Sequence, residues 1–134
     1  MGQQQLLLIV LGVIVVGIAV VVGINLFNAN AVSANRDGVV SDLINLGAMA
    51  QQHYKKPASM GGGNNAFDAS LGGILWGIPN QLDTTANGDY VESVGAQTVT
   101  ITGTGTEIGN DGTTPIVHVC TVTPTSINVA PPTN

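Results

Sequence analysis

His118 and Cys120 are the residues of this sequence whose types and spacing come closest to a reactive pair. They stand two positions apart in a run with strand-like alternation, so their side chains share one face. An imidazole beside a thiol suits metal binding or the activation of a sulfur nucleophile. Two ligands are too few for a closed zinc site, however, and no acidic residue follows at a clear spacing. We therefore expect both residues to have a structural role.

His53, Tyr54 and a run of glycines are weaker candidates for chemistry. His53 and Tyr54 lie near the end of a predicted helix, where exposure at the surface and packing are the commoner roles. The glycines at 61–63 neither follow a strand nor open a helix with a phosphate-binding lysine, so they match a nucleotide loop poorly. The sequence predicts no catalytic residue, no metal site and no cofactor. We do not expect an enzyme.

The charge content of the chain excludes one large class of partner. The chain has 134 residues, of which 44% are hydrophobic and 8% are charged, and its formal net charge is −5. Its cations are Arg36, Lys55 and Lys56, which are too few to neutralise several phosphates, so we expect no binding to nucleic acid. Cys120 is the single cysteine, which rules out an intrachain disulfide.

An apolar run near the start of the chain predicts a membrane span. Residues 6–27 meet the requirement of about 20 predominantly apolar residues, with Asn25 as the ordinary polar exception. No charge of either sign comes before Arg36, although a secretory signal or a signal anchor begins with a basic region. Exposing so many large aliphatic side chains to water would cost on the order of tens of kcal/mol, so the sequence excludes a soluble monomer.

Behind this run, the spacing of apolar residues changes to one that suits a single face of a helix. No proline precedes Pro57, and Lys55 and Lys56 would lie in the last turn, where cations favour the helix dipole. We therefore predict one helix over about residues 3–55, apolar on all sides in its first half and amphipathic in its second. The predicted apolar stripe of the second half comprises Ala31, Ala34, Leu43, Leu46 or Gly47, Ala50 and Tyr54.

A loop region follows Pro57. Residues 60–65 are rich in glycine and predict a flexible connector. Residues 67–79 combine the helical spacing of Leu71, Ile74, Leu75 and Ile78 with several glycines, so they predict a short helix or a turn.

The last third of the chain predicts a small antiparallel sheet. From Tyr90 the pattern alternates with a period of two, and the turn residues at 109–112 indicate a hairpin. The predicted strands are residues 97–102, 114–122 and 125–129, where β-branched side chains dominate. We expect valine and isoleucine to face the helix and threonine to face outward.

The predicted fold is therefore α+β, with a long N-terminal helix and a small C-terminal antiparallel sheet packed on it. We divide the chain into an apolar half of the helix (1–27), an amphipathic half (28–56) and a loop with a β head domain (57–134).

The charge-free apolar start, the long helix, the glycine-rich loop and the terminal sheet together resemble a mature type IV pilin. The resemblance covers the architecture of the whole chain. It implies that a prepilin peptidase removes a short basic leader ahead of Met1, that Met1 is then methylated, and that the head faces outward. The family's usual glutamate at the fifth mature position is Gln5 here, so its charged role cannot be carried over. The disulfide-bounded C-terminal loop of some family branches is also missing.

This resemblance implies a structural subunit that polymerises through its apolar helix into an extracellular filament, after a stage as a single-pass protein of the inner membrane. The implied partners are other copies of the chain, the prepilin peptidase and the pilus assembly machinery. Adhesion, motility and DNA uptake at the cell surface are the implied functions. Small residues let helices approach closely, and Ala19 and Gly23 form a small-xxx-small pair. The residues expected to act in assembly are Gln5, Leu6, Gly12, Gly17, Ala19, Gly23 and Phe27.

Three alternatives stay open. The chain would also suit a pseudopilin of a type II secretion-like machine, which abundance in sheared extracellular fibres would argue against. A single-span receptor or adhesin whose sheet binds a ligand would be extracted by detergent as a monomer and would form no fibres. An archaeal filament subunit is the third alternative.

Overall fold

The structure, a computed structural model, describes residues 2–134. Helix α1 (Gly2–Lys55) is followed by a single 3₁₀ turn (Ala58–Met60) and by strands β1 (Gly88–Val94), β2 (Val99–Ile108), β3 (Pro115–Val122) and β4 (Ile127–Val129). The strands form one sheet in the order β1-β2-β3-β4, and each pair of neighbours is antiparallel. The α+β fold predicted from the sequence is confirmed.

Helix α1 ends just before Pro57, and the glycine-rich loop folds back over its last carbonyl groups. The backbone N–H groups of Gly63 and Asn65 donate to the carbonyl oxygens of His53 and Tyr54, at 2.8 and 2.9 Å. A Cβ on Gly63 would overlap a neighbouring carbonyl oxygen, so this close approach requires glycine. The segment predicted to be a flexible connector is instead packed on the end of the helix.

Residues 67–73 form bends and turns and residues 74–79 have no regular secondary structure, so the helical alternative for this segment is wrong. Phe67 and Trp76 are buried, and the N–H of Trp76 donates to the carbonyl oxygen of Phe67 at 2.8 Å. Leu71 and Ile74, which have the helical spacing, are more than half exposed. The glycines of this segment disfavour a helix, and its backbone holds two aromatic side chains in the core instead.

Consecutive strands of the sheet pair as antiparallel hairpins, as the sequence predicts. β1 pairs with β2 from Gly88↔Gly105 to Val94↔Val99, and β2 pairs with β3 across the turn at 109–112. The three predicted strands are present as β2, β3 and β4, with shifted ends, and the alternation that starts at Tyr90 belongs to β1.

One face of the sheet packs on the C-terminal part of α1 and forms the core. As expected, aliphatic side chains of β2 and β3 face the helix, while the threonines of β2 occupy the alternate, more exposed positions. The predicted helix stripe is wrong at its start, because the sheet reaches only to Asn35 and leaves Ala31 and Ala34 exposed. The buried helix residues are Asn35, Val39, Leu43, Leu46, Gly47 and Ala50.

Asn35 is a buried polar residue at the edge of this core. Its Nδ2 donates to the carbonyl oxygen of Asn87 at 2.7 Å and to Oγ1 of Thr106 at 3.2 Å, and its Oδ1 accepts from the N–H of Glu107 at 3.3 Å. A Cβ on Gly105 would overlap the Asn35 Oδ1 atom. Glycine in the middle of β2 therefore leaves room for the side chain that ties helix to sheet.

Asp42 holds the loop before β1 against the helix. Its Oδ2 accepts hydrogen bonds from Thr85 Oγ1, Asn87 Nδ2 and Tyr90 Oη at 2.9, 2.9 and 2.7 Å. Partial burial raises the pKa of Asp42, but the three hydrogen bonds outweigh it and lower the pKa below its ordinary value. Burial, together with the adjacent carboxylate, raises the pKa of Tyr90, so its hydroxyl stays a donor at neutral pH.

We predict that Gly105→Val lowers the free energy of unfolding of the head by about 1–3 kcal/mol, because the new side chain must displace Asn35. Thr104→Val is the matched control on the opposite face of β2, and it should stay within about 0.5 kcal/mol of the unchanged protein. Urea unfolding in detergent micelles can be followed by the fluorescence of Trp76, the single tryptophan, which is buried. Equal destabilisation by the two variants would contradict the assigned packing.

We predict that Asp42→Asn lowers the free energy of unfolding by about 1–2 kcal/mol at pH 7, near the lower value because water screens this partly exposed carboxylate. The folded-state pKa of Asp42 lies below the unfolded-state value, so its stabilisation is present above the unfolded pKa and is lost as the pH falls through the folded one. The difference between the variant and the unchanged protein should therefore shrink as the pH is lowered from 7 toward 3. A pH-independent difference in urea midpoints would show that the charge is not involved.

Candidate functional site

The candidate site is the first part of α1, which projects from the folded chain. We call residues 2–34 the stem and residues 35–134 the head. The large apolar side chains of residues 6–27 are all exposed, from 49% for Val10 to 80% for Phe27, and Val32 near the head is partly covered. At 1.5 Å per residue the stem is about 50 Å long.

The stem is long and apolar enough to cross a membrane by length and composition. The most apolar 18-residue window of α1 has a mean hydropathy of 3.3, and none of that window is buried against the rest of the described chain. Burial of one large aliphatic side chain gains roughly 1.5–3 kcal/mol. Lipid or protein must therefore cover the stem.

Three small residues of the stem lie on the side of α1 that faces away from the sheet. Glycine and alanine at three stem positions each have a core residue 27 positions later on the same unbroken helix. At 3.6 residues per turn, 27 residues are about 7.5 turns, which places the two members of each pair on opposite sides of the helix. The pairs are Gly12 with Val39, Ala19 with Leu46, and Gly23 with Ala50.

We call Gly12, Ala19 and Gly23 the small-residue face. A Cβ on Gly12 or Gly23 would meet no atom of the described chain within 4 Å, so another helix has room to approach there. Gln5 lies seven positions before Gly12, about 20° away around the helix, and extends this face toward the N-terminus.

The other residues expected to act in assembly lie elsewhere around the stem. Gly17 is about 140° from Gly12 and so turns toward the side of the helix that carries the sheet. Leu6 and Phe27 lie about 120° and 60° from Gly12, and both are exposed. The helix runs through all of these glycines without interruption. Met1, the expected site of processing and methylation, lies outside the described residues.

His118 and Cys120 lie where the sequence places them, on one face of β3, and that face is packed against α1. Their side chains are 4% and 0% exposed. The Sγ atom of Cys120 lies 3.9 Å from the carbonyl oxygen of Leu43, and burial raises the pKa of the thiol to about 11, so it stays protonated at neutral pH. Nδ1 of His118 lies 3.0 Å from the carbonyl oxygen of Ala130. This placement agrees with a structural role.

His53 and Tyr54 connect the helix end to the loops around it. Nε2 of His53 lies 2.6 Å from the carbonyl oxygen of Ile74, and the Tyr54 hydroxyl donates to Oε1 of Gln97 at 2.9 Å. Within residues 2–134, no group of three histidine, cysteine, aspartate or glutamate side chains is placed to hold a metal ion.

The chain matches no family model, no curated protein and no solved structure. Its long apolar helix with a small antiparallel sheet fits a pilin-like fold. The function has to be inferred from the stem and the head themselves.

We predict that a fragment of residues 28–134 is soluble and monomeric without detergent, because the core residues on α1 begin at Asn35. Its urea midpoint, followed by Trp76 fluorescence, should match that of the full chain in micelles. The full chain should sediment when detergent is removed. Aggregation of the fragment, or loss of its cooperative unfolding, would show that the stem contributes to the folding of the head.

Proposed function

We propose that this protein is the structural subunit of a type IV pilus-like extracellular filament, in which stems of many copies pack together and heads form the outer wall. The observation that carries the proposal is the uncovered apolar stem on the same continuous helix that forms the core of the head. A stem of this kind is stable in a bilayer before assembly and among other stems afterwards. Adhesion and motility are the surface functions that such a filament would serve.

The small-residue face supports packing between stems. Moving a helix from lipid into a bundle gains little hydrophobic free energy, because lipid tails are equally apolar, so close contact between backbones must supply the preference. Gly12, Ala19 and Gly23 allow such contact on one side of the stem. Because the sheet packs on the opposite side of α1, a copy whose small-residue face turns inward carries its head on the outside.

The shape of the chain supports a fibre over a closed ring. A contact between two different surfaces of identical copies produces a ring if the rotation closes and a helical filament if it does not. Stems that lie parallel and offset along their length present different surfaces to each other at every contact. The heads, all at one end of their stems, then follow a helical path along the outside.

Gln5 gives the assembly a neutral amide at the N-terminal end of the small-residue face. The amide oxygen can accept a hydrogen bond, but it supplies no negative charge to a buried ammonium group. We infer that amide and backbone oxygens of adjacent copies hold the terminal amine. The prepilin peptidase and the assembly machinery are the further partners that the resemblance to pilins implies.

The proposal is tested on surface material sheared from cells that produce the protein. Negative-stain electron microscopy should show fibres built from this chain, and mass spectrometry should find a methylated N-terminal peptide that begins at Met1. Detergent-extracted single molecules without fibres would favour a single-span receptor or adhesin. Protein that stays in the cell envelope while a secretion machine is active would favour the pseudopilin.

We predict that Gly23→Leu reduces the yield of sheared fibres at least about tenfold, which corresponds to a loss of about 1.4 kcal/mol per contact between stems. Gly17→Leu is the matched control, because it adds the same side chain to the same stem on the side that carries the head, and it should retain most of the yield. Both variants should reach the membrane at the level of the unchanged protein, measured by immunoblot. Equal losses from both variants would show that the small-residue face has no special role.

A further inference from the structure

The end of the head that is farthest from the stem carries an exposed apolar cluster. Its members are more than half exposed, and they lie close together in the loop region, whereas the other large exposed apolar side chains of the head, such as Val91, come from other segments of the chain. Ile74 lies beside Gly61, and the Asn64 side chain donates to the carbonyl oxygen of Leu71 at 3.0 Å, so the folded loop holds these residues together. We call this cluster the distal patch, and it comprises Met60, Leu71, Ile74 and Leu75.

The distal patch is bordered by the only lysines of the chain. Lys55 and Lys56 are both exposed at the end of α1. Lys56 shares a groove of about 350 Å³ with Leu75 and Trp76. The carboxylate of Asp68 is also near this end, where it accepts a hydrogen bond from the N–H of Ser70. Glu92 adjoins the same groove and accepts a hydrogen bond from the N–H of Ile78 at 3.3 Å. Both acids at this end are therefore engaged by backbone N–H groups, whereas the two lysines are exposed beside the apolar side chains.

The opposite end of the head, next to the stem, carries a groove of about 510 Å³ between α1 and the turn that joins β2 to β3. We call it the proximal groove. Its apolar lining comes from Ala29 and Val32 of the helix and from Ile108 at the end of β2, which is 42% exposed. The groove lies where the stem meets the head, on the side of α1 that carries the sheet.

The charges around the proximal groove are mainly negative. Glu107 lines it, and Asp111 lies in the adjoining turn, where its carboxylate accepts hydrogen bonds from the N–H groups of Thr113 and Thr114. Arg36 is the cation at this end, and its Nη2 donates to the backbone carbonyl oxygen of Asn134 at 2.9 Å. Two carboxylates against one engaged guanidinium give this end a negative charge, opposite to that of the two lysines.

We propose that the distal patch of one copy docks into the proximal groove of a second copy, so that heads join end to end along the wall of the filament. This inference rests on the proposed function. Val32 on α1 and Lys56, the residue after its end, are 24 positions apart, so a parallel copy displaced by about 36 Å along the helix brings the two surfaces together. A helical assembly gives each copy neighbours at several offsets, which lets this contact and the contact between stems involve different neighbours.

A second copy is the occupant that the charges favour. The head has a net negative charge, so two heads placed side by side in equivalent positions repel each other, whereas the lysines of one end attract the carboxylates of the other. The two surfaces differ from each other and lie at opposite ends of one head. Such a contact repeats without closing, as a filament requires.

Cross-linking on sheared fibres tests the contact. Met60→Cys and Ile108→Cys, placed together in one chain and treated with a short bismaleimide, should give a ladder of covalent multimers on a denaturing gel. Either substitution alone should give monomers, because the native Cys120 is fully buried. Fibres whose double variant stays monomeric would overturn the inference, as would dimers from Met60→Cys alone, since they would show that the patch pairs with itself.

A charge exchange tests the pairing independently. Lys56→Glu and Glu107→Lys should each lower the yield of fibres about fivefold, and the two together should restore it. Asp89→Lys, at an exposed acid on β1 that borders neither surface, is the control and should leave the yield unchanged. Failure of the double variant to restore the yield would overturn the pairing. Absence of fibres from the unchanged protein would instead overturn the proposed function, and the inference with it.

Discussion

The free-energy cost of hydrating the stem is the constraint on which the rest of this structure depends. The apolar side chains of residues 6–27 leave α1 in every direction, and the head covers none of them. Their exposure to water would cost on the order of tens of kcal/mol, more than the whole stability of an ordinary domain. The chain can therefore exist only where something else covers the stem. Because α1 is continuous, whatever holds the stem also sets the position of the head.

The head is a small domain that depends on the same helix. Its sheet has one apolar face, and the C-terminal part of α1 is the element that covers it. Polar contacts fix the position of the sheet along α1. Asn35 forms hydrogen bonds to β2 and to the residue before β1, and Asp42 accepts three hydrogen bonds from the loop before β1 and from Tyr90. Glycine at 105 permits the close approach. The stem and the core of the head are thus two parts of one helix, and the sheet cannot slide along that helix without breaking these contacts.

The sequence predicts the elements of this fold well because their signals are local. The absence of proline before Pro57 and the alternation of β-branched residues locate α1 and the last three strands. The errors arise where the environment of a residue depends on segments that are distant in sequence. Ala31 has the right spacing for the stripe but lies beyond the end of the sheet, and the glycines at 61–63 suggest flexibility although they serve close packing. The proximal groove has no sequence signal, because its two walls meet only when β2 folds back on the helix.

Because the helix is unbroken between the small-residue face and the core, the number of residues between them sets the angle of the head around the stem. Inserting one residue between Gly23 and Asn35 would lengthen α1 by only about 1.5 Å but would turn the head by about 100° around the stem. A change of one residue in this region therefore alters the length of the stem very little, but it alters the direction of the head strongly. A change of close to a whole number of turns, such as 7 residues for about two turns, keeps the head on the outside of the bundle, whereas a change of two residues turns it by about 200° toward the bundle.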